Sequence, residues 1–182
     1  MNPLLSIARI YIPAFIKKRK LNELFAMTAE AFHSDPPEIQ NLSCPDCLRA
    51  YALFSKAKAG EIIRSHKDTE AVKKRLYQNA FQMGKKLRKQ FRIHTQTDVI
   101  RFSEILYSIL KIKFTGGVSG EVVIEHCFFS SFYTSEICAI MSSLDAGIAA
   151  GLSDGGRLAF HARITEGDKC CRATLTMGAQ SS

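Results

Sequence analysis

No secretory signature is present in this 182-residue chain. The apolar-rich stretch from Leu4 to Ile16 is broken by Arg9 and Pro13, and its basic cluster, Lys17 to Lys20, follows it instead of preceding it. The stretch also falls short of the about 18 residues that a bilayer crossing needs. No transmembrane segment is therefore expected, and a cytoplasmic location is. The first acidic residue is Glu23, which leaves an amphipathic surface anchor open beside the plainer reading of a docked helix. There is no internal repeat and no low-complexity stretch. Cys44-Pro45-Asp46-Cys47 has no second cysteine pair at zinc-finger spacing and no βαβ context, so it reads first as a helix start.

Acidic residues are also scarce: 17 against 25 basic ones, a net charge of +8. The imbalance is local. Residues 1–120 carry 21 basic and 10 acidic side chains, whereas residues 121–182 carry 4 and 7. The densest late cluster is Lys85, Lys86, Arg88, Lys89 and Arg92, and on the helix pattern Lys74, Lys85, Arg88, Lys89 and Arg92 lie opposite an apolar stripe of Val72, Leu76, Ala80, Met83, Leu87 and Phe91. That is a helix with one buried face about 100° wide. Its basic face has a single aromatic, Phe81, which is no stacking platform, so nucleic acid is not the expected partner.

Apolar residues make up 46% of the chain and charged residues 23%, enough for a real core and too apolar for wholesale disorder. Residues 4–33 read as one or two helices, residues 34–46 as a loop, and residues 47–65 and 69–92 as helices. Thr97-Asp98 reads as a further helix start, and Thr115 to Gly120 as a breaker. Then the character changes. Val122 to Phe129 reads as a strand, Ser130 to Leu152 as a helix, and Arg157 to Thr165 with Cys170 to Met177 as a hairpin. On the hairpin, Leu158, Phe160, Ala162 and Ile164 share one face, with Arg157, His161 and Arg163 on the other. The expected class is α+β, N-terminal helices followed by a β-α-β-β unit whose antiparallel sheet packs on helices. The expected division is an extension over 1–46 and one domain over 47–182, its helical part 47–114 and its β-α-β-β part 121–178.

The chemistry-bearing residues gather in the tail. Cys138 and Asp145 are seven apart on one helix and so point nearly the same way, at the edge of the buried stripe. Cys127 ends the preceding strand, and Cys171 begins the return strand of the hairpin. Packed as a unit, these four can converge, although buried thiols are often inert.

The segment Cys127 to Cys171 resembles the L-2-amino-thiazoline-4-carboxylic acid hydrolase family. The pieces are Cys127-Phe128, Cys138, Ser143-Leu144-Asp145, Ala150-Gly151-Leu152, the strand from Arg157 to Thr165, and Glu166-Gly167-Asp168-Lys169-Cys170-Cys171. The last run is also similar to the end of 4-vinyl-reductase-type domains, which are small-molecule-binding modules. The glycine pattern of those domains after the first Cys is replaced here by Phe129-Ser-Ser-Phe132. The resemblance implies hydrolysis of a cyclic amidine C=N bond, opening a thiazoline ring toward a carbamoyl-cysteine. It implies catalytic roles among Cys127, Cys138, Asp145 and Cys171. One variant uses a thiol as nucleophile with Asp145 as base; another has two thiolates with Asp145 or His126 holding a divalent metal ion that activates water. Arg157 or Arg163 would pair with the substrate carboxylate. No cofactor is fixed by these residues, and a divalent metal stays open. A small-molecule substrate is the expected partner. A non-catalytic ligand- or metal-binding module, a basic nucleic-acid or membrane-surface adaptor, and a homo-oligomer built on the amphipathic helices are the alternatives.

Overall fold

The structure, a computed structural model, describes residues 12–39, 41–65 and 67–179. It is α+β, with helices first and a four-stranded antiparallel sheet after them. The part of the N-terminal reading that falls on residues 4–11 lies outside the described residues.

Helix α1 spans Ala14–Ala31 and starts directly after Pro13. Leu21, Phe25, Ala29 and Ala31 are each exposed by 1% or less, so α1 belongs to the same core as the later elements. Helix α2, Cys44–Arg64, begins at Ser43, whose hydroxyl accepts the Asp46 N–H, and holds Pro45 in its first turn, where a missing N–H costs nothing. Helix α3, Thr69–Phe91, is capped by Asp68 and stopped by Arg92 in the left-handed region. Its buried face is Val72, Leu76, Ala80, Gly84 and Leu87; of the predicted stripe, Met83 and Phe91 are half-buried at its edge, and Gly84 takes a place the spacing did not assign. Helix α4, Gln96–Ile109, starts at Thr95 through a reciprocal capping box with Asp98, two residues earlier than expected.

The segment after α4 departs from the sequence reading. Lys113–Gly116 is a strand, β1, paired with β2, Glu121–His126, and residues 117–120 form the turn between them. The tail is therefore β-β-α-β-β. A four-residue strand with one buried side chain, Phe114, carries too little alternation to be read beside two glycines. Gly120 fits that turn because its φ of 88° suits glycine and an added Cβ would lie 2.2 Å from the Leu175 carbonyl oxygen.

Past β2 the chain makes a 3-10 turn, Phe128–Ser131, and then α5, Ser135–Leu152, capped by Thr134. The helix thus starts five residues later than expected. Strands β3, Arg157–Ala162, and β4, Cys171–Thr176, follow, joined through a 3-10 turn at Ile164–Glu166. The sheet order is β1-β2-β4-β3. Its inner face presents Phe114, Val122, Ile124, Leu158, Cys171, Ala173 and Leu175 to the core, and β4 alternates buried and exposed as its sequence predicts.

Helix α5 crosses the middle of the fold against α3. The crossing is backbone-close: a Cβ on Gly147 would lie 2.3 Å from the Tyr77 carbonyl oxygen, and one on Gly151 would lie 2.4 Å from that of Phe81. Among the described residues α5 is the one helix long and apolar enough to cross a membrane by length and composition, and 56% of it is buried inside the fold. A core helix meets the same criterion.

Candidate functional site

A cavity of about 130 Å³ opens between α5, the sheet and the N-terminal helices. Engineered apolar cavities of about this size hold a benzene-sized molecule. Its walls are mostly apolar, with Leu24 and Met27 from α1, Met83 from α3, Leu106 and Leu110 at the end of α4, and Leu144 and Ile148 from α5. Into this lining project Cys127, Cys138, Asp145, Cys171 and Arg163. Four elements bring them together. Cys127 lies just past β2, Cys138 and Asp145 stand two turns apart on α5, Cys171 opens β4, and Arg163 follows β3.

Arg163 arrives by an irregularity. Strict alternation would send it with Arg157 and His161 to the outer face of the sheet. The β3–β4 register shifts between Phe160 and Ala162, and β3 ends there. Arg163 then begins the 3-10 turn, with its guanidinium 4.5 Å from the centre of the Phe160 ring. Its Nη1 donates toward Cys138 Sγ at 3.9 Å, and Nε lies 3.7 Å from Glu166. Arg157 stays exposed at the start of β3, opposite Thr176, and does not line the cavity. His126 is also exposed, opposite Lys113 on β1, and stands outside the cavity.

Asp145 is the electrostatic centre. Burial pushes its carboxyl up to about 6 from 3.8, although the Tyr107 hydrogen bond and the nearby Arg163 charge both pull it down. Tyr107 Oη donates to Asp145 Oδ1 at 2.6 Å. Burial first, and then the Asp145 charge, raise the Tyr107 phenol well above its ordinary range, so it is a committed donor. The other buried phenols are satisfied within the protein: Tyr51 with Thr28 at 3.0 Å and Tyr133 with Ser55 at 2.5 Å.

The three thiols differ. Burial pushes Cys127 up to about 12, against opposing backbone N–H groups of Phe129 and Ser130. Burial also raises Cys171, whose sulfur accepts the Ile164 N–H at 3.4 Å. Cys138 is half-buried and has a cationic donor aimed at its sulfur. Among the described residues no three His, Cys, Asp or Glu side chains are placed to hold a metal ion, so the metal-bound variant has no ligand set there.

Tyr107, and the α1 wall with Lys20, Leu24 and Met27, are site residues the sequence did not announce. Tyr107 follows the apolar pair Ile105-Leu106 on α4 and belongs to no motif. Only its position 38 residues from Asp145 in sequence, and 2.6 Å in space, reveals its part.

No family model matches the chain, and no curated protein matches it. The thiazoline-hydrolase resemblance of the tail rests on its motifs.

Proposed function

We propose that the cavity binds a small ring bearing an amidine and a carboxylate and opens that ring by hydrolysis. The observation that carries this reading is the placement of the Asp145 carboxylate and the Arg163 guanidinium with Cys138 in a mostly apolar cavity, the guanidinium directed at that thiol. Asp145 complements an amidinium, and Arg163 complements a carboxylate. The resemblance of the tail to thiazoline-carboxylate hydrolases supplies the reaction class.

In this proposal Cys138 Sγ adds to the ring carbon between nitrogen and sulfur. The ring C–S bond breaks, and its sulfur leaves as a thiol. Water then attacks the same carbon, Asp145 takes its proton, and Cys138 is released. One water is consumed, and the product is a carbamoyl thiol. Cys127 and Cys171, with raised thiols, shape the wall and do not attack.

A second reading is a binding module without turnover. The apolar walls favour it, since most of the lining contributes no polar contact. Purified protein incubated with 2-amino-thiazoline-4-carboxylate separates the two. Hydrolysis predicts a carbamoyl-cysteine product, with Cys138→Ser and Asp145→Asn each lowering kcat on the order of a hundredfold or more. Binding heat without product supports the module, and neither heat nor product removes both readings.

A further inference from the structure

Cys44 and Cys47 lie outside the cavity and take no part in the reaction above. Both are free, in the first turn of the 21-residue helix α2. Cys44 is half-buried at the surface, whereas Cys47 directly behind it is fully buried. Helix geometry places Cα atoms three residues apart about 5 Å from each other, inside the roughly 4.4–6.8 Å window that a disulfide requires.

We propose that Cys44 and Cys47 form a redox-active dithiol that exchanges with a low-molecular-weight disulfide to give an intrahelical disulfide. The order follows from exposure. The Cys44 thiolate attacks one sulfur of the incoming disulfide, forming a mixed disulfide and releasing one small thiol. The Cys47 thiolate, reached from inside, then attacks the Cys44 sulfur and releases the second. Two protein thiols are oxidised, one external disulfide is reduced, and two protons go to the departing thiolates. Burial raises the Cys47 thiol, which suits a resolving group better than an entry point.

The exchange has a structural consequence. Cys44 Sγ donates to the Ala14 carbonyl at 3.6 Å, and Ala14 is the first residue of α1. Cys47 Sγ donates to the carbonyls of Ile39 and Leu42, each at 3.7 Å, in the loop between the helices. Oxidation removes both S–H donors, so the start of α1 and the end of that loop lose contacts together. Because α1 carries Lys20, Leu24 and Met27 into the cavity wall, the dithiol is linked to the site through one helix.

The test uses the whole protein equilibrated with mixtures of glutathione and its disulfide, then acid-quenched, unfolded and alkylated. Trypsin releases residues 21–49, which contain no other cysteine. The expected result is that this peptide loses two hydrogens and escapes alkylation as the disulfide share rises. Cys47→Ser is expected to stop at a mixed disulfide with glutathione on Cys44, and Cys44→Ser to take up none. A wild-type peptide that remains fully alkylated at every ratio overturns the proposal. So does a glutathione adduct on Cys47 in the Cys44→Ser protein. Neither outcome depends on turnover in the cavity.

Discussion

Tyr107 Oη donates a 2.6 Å hydrogen bond to Asp145 Oδ1, tying the last turn of α4 to the middle of α5 at the cavity wall. The phenol favours the carboxylate, and burial opposes it, leaving Asp145 at about 6. In the proposed hydrolysis Asp145 is the base and must be deprotonated, so kcat/KM is expected to rise with pH through about 6. Tyr107→Phe removes a hydrogen bond to a charged group, worth about 1.5–3 kcal/mol, and should move that limb up by roughly one to two pH units. A limb that stays in place means the phenol does not hold the carboxylate. Tyr107 is in this sense a positioning residue.

The same group makes stability depend on pH. A carboxyl raised from 3.8 to about 6 binds its proton more tightly folded than unfolded. Its contribution is fully present below about 3.8 and is lost as pH rises through about 6. The loss amounts to about 3 kcal/mol. Urea unfolding of the wild type and of Asp145→Asn, across this range, is expected to show the variant gaining on the wild type as pH rises. A constant difference between them contradicts a buried, desolvated carboxyl.

Thiol reactivity separates the cysteines without any substrate. A thiol pushed from 9.0 to about 12 loses about three orders of magnitude of thiolate at pH 8. A higher-pKa thiolate is the stronger nucleophile, which returns part of that loss, so Cys127 in the folded protein should react with iodoacetamide on the order of tens of times more slowly than after unfolding in urea. Peptide mass spectrometry over time measures both rates. Equal rates would mean that Cys127 is not held in the wall.

Gly147 tests the crossing of α3 and α5, both of which line the cavity. An alanine Cβ there would lie 2.3 Å from a backbone oxygen, and backbone cannot swing aside as a side chain can. Gly147→Ala is expected to cost about 1–3 kcal/mol or more, lowering Tm by about 2–4 °C per kcal/mol. Gly117, in the β1–β2 turn, has its nearest neighbour at 3.4 Å, and Gly117→Ala should change stability by no more than about 0.5 kcal/mol. Thermal melts of the two variants make the comparison, and equal effects would contradict the close crossing.

Much of this architecture was legible in the chain because it is periodic. The α3 stripe from Val72 to Leu87, the β4 alternation and the Cys138–Asp145 spacing all follow from helix and strand repeats, and the structure has them. What escaped is aperiodic. β1 has one buried side chain, the Phe128–Ser131 turn interrupts what reads as a longer helix, and a register shift turns Arg163 from the outer face toward the cavity. Tyr107 and the α1 wall escaped for another reason. Their placement depends on how helices distant in sequence pack, and no spacing records that. Arg157 illustrates the opposite case: its strand parity is regular, and it remains on the exposed side, away from the cavity.

The most direct measurement is an acid-quenched single turnover of the wild-type protein with 2-amino-thiazoline-4-carboxylate, followed by peptide mass spectrometry of the six cysteines. The expected result is a transient adduct on Cys138 that persists in Asp145→Asn, where no base takes the proton of the attacking water, and is absent from Cys138→Ser. An adduct on Cys127 or Cys171, or substrate consumed at the same rate by Cys138→Ser, would contradict the assignment of Cys138 as the attacking thiol.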